Sequence, residues 1–311
     1  MVKNIAIALH GGAGTLIKGE MTPEKEKEYK NVLSLALNCG YEVLNLKGNA
    51  TEAVQAAVMV LEDSTLFNAG KGSVFTAEGT HEMEASIMEG KTRQSGAVAL
   101  VTGVKNPILL ARAVMDKSQH VFLAGQGALN LAEELQLEME KPGYFYNELR
   151  YQQWQKIKNS DNFQLDHSSI KNSKMGTVGC VALDSNGNLA AATSTGGMTN
   201  KKVGRLGDSG IAGAGNYANN KTCAVSCTGS GEYFIRGVVA YDVSCLIEMK
   251  GLSLEKATNE VIHKRILDIG GDGGLVAIDA DGNISMPFNT EGMYRACKNS
   301  AGLENIAIYK D

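Results

Sequence analysis

Apolar residues in this chain gather in short dense runs separated by polar, glycine-bearing breaks. Residues 4–9 form one such run, as expected of a buried strand, and it ends in His10-Gly11-Gly12-Ala13-Gly14, which reads as a turn. A helical period follows over 24–47 and again over 51–63. The second helix is opened by Asn49 with Glu52 three residues on, the spacing of a capping box. Strand-like pieces at 82–89 and 95–101 lead into helical stretches across 107–138 and 145–158. From Lys158 to Lys174 apolar residues thin out and no period is sustained, so this stretch reads as an exposed loop or linker.

The polar stretch stops at Met175, and the run to Leu183 is apolar enough for a strand buried on both faces. Asp184-Ser185-Asn186-Gly187-Asn188 carries the Asn-Gly signal of a hairpin, and Leu189 to Thr195 returns as its second strand. Cys223–Thr228 is expected as a strand, Gly229-Ser230-Gly231 as a turn, and Glu232–Lys250 as a helix closed by Gly251. Strands at 274–279, 284–287 and 304–309 finish the chain. Strands adjoin strands and helices adjoin helices, which favours a layered α+β architecture over alternating βαβ units. The sequence contains no internal repeat.

With 311 residues, 43% hydrophobic and 21% charged, the chain can bury one large core or two modest ones. A net charge of -4 gives no electrostatic reason to expect nucleic acid or an anionic membrane as partner. The apolar stretch Ile5–Leu9 is too short for a signal-peptide core, and no run reaches bilayer-spanning length. The six cysteines lie mostly in apolar runs, as free buried thiols do, and the expected address is cytoplasmic.

Familiar motifs fail on inspection. Gly90-Lys91-Thr92 lacks the upstream glycine of a phosphate loop, where Ala85 stands. Gly213-Ala214-Gly215 lacks the final glycine of a dinucleotide fingerprint, where Ala218 stands. His10-Gly11-Gly12 has no Gly-x-Ser-x-Gly elbow to serve, and His81-Glu82 has no second histidine for zinc. The five histidines are scattered, so none stands out as a general base.

Three groups of residues remain. A hairpin centred on Asn186 sets Thr177 opposite Thr195, whereas one centred on Asn186-Gly187 sets Thr195 opposite Val178. Either register makes the threonines cross-strand neighbours, though β-propensity alone also places threonine at strand ends. Thr228-Gly229-Ser230-Gly231 sits at a strand-to-helix junction, where backbone N–H groups can face an anion or a developing oxyanion. Arg205 and Asp208 lie three apart in a glycine-rich segment. They can clamp a carboxylate and an ammonium, or form an ordinary exposed ion pair.

The run GTVGCVALDSNGNLAAATSTGGMTNKKVGRLGDSG closely resembles the plant-type (type III) asparaginases, the isoaspartyl peptidases of the N-terminal-nucleophile (Ntn) hydrolase superfamily. So do HGGAG near the start, FNAGKGSVFT after the second helix, SCTGSGE before the late helix and PFNTEGMYRA near the end. The resemblance covers nearly the whole chain in the same order.

It implies a four-layer αββα sandwich made as an inactive precursor that cuts its own Gly176–Thr177 bond. An α part (1–176, with 158–176 as linker) and a β part (177–311) would then form one globular domain, and two such pairs a dimer of heterodimers. It further implies that Thr177 is the nucleophile and that its freed α-amino group, with an ordinary pKa of about 7.7–8.0, is the base. No cofactor is then needed for catalysis. Thr195 would hydrogen-bond the nucleophile, Thr228 and Gly229 would supply the oxyanion hole, and Asn68 would stand at the active site. Arg205 would hold the substrate α-carboxylate, and Asp208 with the Gly231 carbonyl its α-ammonium. The substrates implied are isoaspartyl dipeptides and L-asparagine, with L-aspartate released.

A structural sodium is implied on the backbone carbonyls of Leu61, Glu62, Ser64, Phe67, Ala69 and Lys71. Two departures from the family pattern are visible: Ser230, where threonine is frequent, and Lys71, where an apolar residue is frequent. Competing readings are a glycosylasparaginase, which would carry aspartate where Gly176 stands, a taspase-like endopeptidase, and an uncleaved, non-catalytic binding or scaffold protein.

Overall fold

The computed structural model describes residues 4–158 and 176–310. The expectation of a linker at 158–174 falls almost wholly outside the described residues.

Among the described residues, twelve strands and ten α-helices follow one another. They are β1 (Ala6–Gly14), α1 (Pro23–Asn45), α2 (Ala50–Glu62), β2 (Met83–Glu89), β3 (Ser95–Val101), α3 (Pro107–Lys117), β4 (Phe122–Ala124), α4 (Gly125–Glu134), α5 (Pro142–Phe145), α6 (Glu148–Ile157), β5 (Val178–Leu183), β6 (Leu189–Thr195), β7 (Asn216–Ala218), β8 (Cys223–Gly229), α7 (Gly231–Gly237), α8 (Val239–Lys250), α9 (Leu254–Glu260), α10 (Ile266–Asp268), β9 (Gly273–Asp279), β10 (Ile284–Ser285), β11 (Gly292–Asn299) and β12 (Glu304–Tyr309). The strands form an eight-stranded sheet ordered β12-β11-β1-β5-β6-β2-β3-β4 and a four-stranded sheet ordered β10-β9-β8-β7.

Alternation along the central strands builds the layers. On β1, Ile7 and Leu9 enter a core shared with α1, α2 and α3 (Leu33, Val54, Ile108). The intervening Ala6 and Ala8 enter a second core with Val225 and Val276 of the small sheet and Val243 and Ala257 of the helices behind it. The αββα sandwich is therefore present, and small side chains on the inner face let the two sheets approach closely. Among the described residues no helix is long and apolar enough to cross a membrane. All six cysteines are free thiols.

The capping box on α2 is formed, Asn49 Oδ1 accepting from Glu52 N at 2.8 Å and Glu52 Oε2 from Asn49 N at 3.2 Å. Gly251 closes α8 with φ 62°.

Four local expectations are corrected. His10–Gly14 is not a turn but part of β1, which absorbs one extra residue as a bulge between His10 and Gly12 against β11. The stretch 107–138 is not one helix, since α3 stops at Ser118 and β4 pairs in parallel with β3 before α4 begins. The helix over 232–250 breaks at Val238 (φ 47°, ψ 46°), where the amides of Ala240 and Tyr241 instead reach the carbonyls of Ala214 and Gly213 at 3.1 and 2.8 Å. Finally, α9 to α10 and β11 were not anticipated. The Ser253 side chain that accepts from Lys256 N to open α9 was a legible start signal.

Candidate active site

Thr177 is the residue just before β5, 6% exposed. The β5–β6 ladder pairs Val178 with Ser194 and Leu183 with Leu189. Carried one step outward, that register sets Thr177 against Thr195, the first of the two alternatives above. The turn decides it: Asp184 Oδ1 accepts from Asn186 N at 2.8 Å and from Asn188 N at 3.0 Å, centring a five-residue loop on Asn186.

Neutral groups surround the threonine. Its hydroxyl shares a hydrogen bond with Ser209 Oγ at 3.2 Å, while Thr195 Oγ1 accepts from Gly197 N at 3.0 Å. In this continuous chain the hydroxyl's partner is thus Ser209 rather than the expected Thr195, which points the same way but is engaged by its own turn. Behind Thr177, His10 Nδ1 reaches the Thr177 carbonyl and Nε2 reaches Ser226 Oγ, both at 2.9 Å. Ser226 meets Thr193 Oγ1 at 2.8 Å.

Burial holds the His10 pKa down at about 3, so the ring is neutral. A carbonyl only accepts, so Nδ1 carries the proton, and the bonds run one way from Thr193 through Ser226 and His10 to Thr177. His10 therefore fixes the backbone of the nucleophile candidate and has no free nitrogen to act as its base.

Glycines admit the chain around the Gly176–Thr177 bond. Gly12, at φ +117°, lies so near that an added Cβ would stand 2.7 Å from Gly176 N, and one on Gly176 itself would collide with Thr228 Oγ1. Thr228 Oγ1 accepts from Ala13 N at 3.2 Å. At the β8–α7 junction Ser230 N is already spent on the Asp272 carbonyl at 3.0 Å, and the Ser230 hydroxyl bonds the Asp272 carboxylate. That removes one of the turn's expected free amides. Asn68 is buried and acts as a staple, Oδ1 accepting from Val74 N at 3.1 Å and Nδ2 donating to Gly197 O at 2.6 Å.

The other half of the site is charged. Arg205 is not an exposed partner of Asp208. Its Nε and Nη2 bind Glu232 Oε1 at 2.9 and 2.8 Å, and its Nη1 lies 4.0 Å from Glu84 Oε1. Asp208 is 3% exposed, and its Oδ2 has no hydrogen-bond partner among the described residues. Burial first, and the nearby Glu84 second, push its pKa up to about 7. Thr177, Thr195, Asn68, Arg205, Asp208, Gly229 and Gly231 all line one cavity of about 690 Å³, open mouth included. Thr228 sits against its wall. Sequence reasoning missed Glu84, Glu232, Ser209 and His10. Each acts across a long separation in sequence, and only the His10-Gly-Gly pattern offered a local hint.

The end of α2 and the segment after it hold the carbonyls assigned to sodium. Added Cβ atoms would stand 2.5 Å from Glu62 O at Gly70 and 2.8 Å from Ser64 O at Gly72, so both glycines leave room among those oxygens. The Lys71 side chain points away, its Nζ 5.0 Å from the Tyr144 ring. Among the described residues, no three His, Cys, Asp or Glu side chains gather to hold a metal.

The αββα sandwich, with the Thr177 hydroxyl at the start of a central strand and across one cavity from Arg205 and Asp208, belongs to the class of Ntn hydrolases. The chain belongs to the asparaginase family, whose description matches residues 3–308. It is 48% identical to the isoaspartyl peptidase of Escherichia coli (strain K12), over 98% of this chain and 96% of that protein. It is 38% identical to the isoaspartyl peptidase/L-asparaginase of Xenopus laevis (97% and 94% covered). With the plant-type L-asparaginase of Pyrococcus horikoshii it shares 40% identity (93% and 94% covered).

Proposed function

We propose that this chain cuts its own Gly176–Thr177 bond and then hydrolyses isoaspartyl dipeptides and L-asparagine, releasing L-aspartate. One observation carries the reading: the Thr177 hydroxyl and the Arg205/Asp208 pair line a single cavity, so a nucleophile candidate and groups of both charges face the same space. In maturation, Thr177 Oγ1 adds to the Gly176 carbonyl carbon and the C–N bond breaks, leaving an ester and a free Thr177 amine. Water then splits the ester, leaving the Gly176 carboxylate and restoring the hydroxyl. The close packing of Gly12, Gly176 and Thr228 supports this step, since it pins the bond beside the hydroxyl.

In turnover the freed amine takes the Thr177 hydroxyl proton as oxygen attacks the side-chain amide carbon of the substrate. Thr228 and the Gly229 amide face the developing oxyanion, and the same amine returns the proton to the departing nitrogen. Water then releases aspartate from the acyl-threonine. Arg205 holds the α-carboxylate, and Asp208 with the Gly231 carbonyl holds the α-ammonium. The unpartnered Asp208 oxygen supports that last role, because a buried acceptor without a donor is costly unless a ligand supplies one.

The same reading places a sodium ion on the carbonyls of Leu61, Glu62, Ser64, Phe67, Ala69 and Lys71. Neutral oxygen donors suit a hard monovalent cation, and the ion would stiffen the loop that presents Asn68. It also includes a cytoplasmic address, supported by the six free thiols, and a dimer of cleaved heterodimers. Denaturing electrophoresis with an aspartate-release assay on β-Asp-Leu tests the core of it. Two bands meeting at Gly176/Thr177 and steady aspartate release are expected. A single persistent band with no aspartate released would overturn it.

A further inference from the structure

Glu84 lies 2% exposed in the wall of the cavity, on β2 directly beside Thr195 in the sheet. Its carboxylate accepts the amide of Gly207 on both oxygens, at 2.9 and 3.1 Å. Gly207 stands between Arg205 and Asp208, and an added Cβ there would lie 2.9 Å from both Glu84 Oε1 and Arg205 Nη1, so a larger residue would push one of those two groups aside. Glu84 Oε1 also lies 4.0 Å from Arg205 Nη1, on the side of the guanidinium away from Glu232. One buried carboxylate therefore ties down the backbone between the two clamp residues and flanks the charged end of one of them. No step of the proposed reaction uses it.

We propose that Glu84 is the positioning residue of the amino-acid clamp, setting the spacing of Arg205 and Asp208 through Gly207 and so the grip on the zwitterionic head of the substrate. Two consequences follow. The first is geometric: loosening Gly207 weakens ground-state and transition-state binding alike, so the loss falls on KM and leaves kcat largely untouched. The second is electrostatic. Asp208 is faced by Glu84 from β2, Arg205 from its own loop, Glu232 from α7 and the Cys227 thiol from β8. Removing the Glu84 charge takes a like charge from Asp208 and lets it ionise at lower pH.

The proposal rests on the reading of Arg205 and Asp208 as a substrate clamp, and the experiment separates the two. Matured wild type, Glu84→Gln and Glu84→Asp are compared on β-Asp-Leu from about pH 5.5 to about 8.5, across the titration range of Asp208. Glu84→Gln is expected to raise KM about 30-fold near neutrality with kcat within about threefold of wild type. The acid limb of its KM profile should move to lower pH. Glu84→Asp keeps the charge on a shorter stem, so the profile should return to the wild-type position with KM only partly restored.

A Glu84→Gln enzyme with unchanged KM and pH profile would overturn the proposal. So would a fall in kcat with KM and profile unmoved, the mark of a purely structural role. Should Glu84→Gln fail to mature, Glu84→Asp decides alone: a raised KM on an unmoved profile supports the proposal, and an unchanged KM overturns it. Wild type that releases no aspartate would instead overturn the functional reading itself.

Discussion

Around Thr177 the molecule gathers hydroxyls, backbone amides and one imidazole kept neutral by burial. Around Arg205, in the same cavity, it gathers Glu84, Asp208 and Glu232. Among the described residues, the side chains that hydrogen-bond the Thr177 hydroxyl and carbonyl are uncharged, so the performance of this half depends on placement. The second half is crowded with charge held at fixed separations, and it depends on electrostatic balance. On the proposed function, chemistry and recognition fall to separate halves, and each should fail in its own way.

The sharpest break comes at Thr177. Thr177→Ala should stay full-length and lose aspartate release by at least about 10⁴-fold, as expected when a nucleophile is removed. Normal processing of that variant, seen by mass spectrometry, would remove Thr177 from its role. Arg205→Ala is expected to mature but to lose about 10²- to 10³-fold in kcat/KM, nearly all in KM, because Glu84 and Glu232 would then face the substrate carboxylate unopposed. A loss confined to kcat would merge the two halves into one.

Asp208 supplies the pH test. With its pKa raised to about 7, it is protonated below that point and loses its attraction for an α-ammonium, so KM should climb about tenfold per unit as pH falls below about 7. A flat KM across that range would deny Asp208 contact with the ammonium. The smallest effect belongs to His10. His10→Leu leaves the Ser226 hydroxyl and the Thr177 carbonyl without their partner and should lower stability by about 1–3 kcal/mol in thermal melts. Because the ring is already neutral at about pH 3 and above, it should add no feature to the activity profile between about pH 5 and about 8.

What could be read in advance was local. Periodicity gave α1, α2, β5, β6 and the hairpin, and the long family motifs pointed to Thr177, Thr195, Asn68, Arg205 and Asp208 but not to Ser209 or His10, the side chains that hydrogen-bond Thr177. The register between Thr177 and Thr195 stayed open until the Asp184 side chain was seen to centre the turn on Asn186. Glu84 looked like one more polar position on an alternating strand, because the Gly207 amide it binds is 123 residues away. The split of the helix at Val238 was equally hidden, since its cause is a pair of carbonyls at Gly213 and Ala214. Contacts closed over such distances leave no periodic trace in the chain.

The strand order of the large sheet has one more consequence. Strand β1 lies between β11 and β5, and β6 borders β2, so segments from before and after Thr177 are interleaved. A cut at Gly176 would sever no ladder, because it falls one residue outside β5. Yet the two pieces would be inseparable short of unravelling the sheet along three seams. Neither piece is a fold alone: β1 without its neighbours would present two bare edges, an invitation to aggregate. Two separately made polypeptides would have to weave this sheet from solution, whereas a single precursor weaves it first and is nicked afterwards.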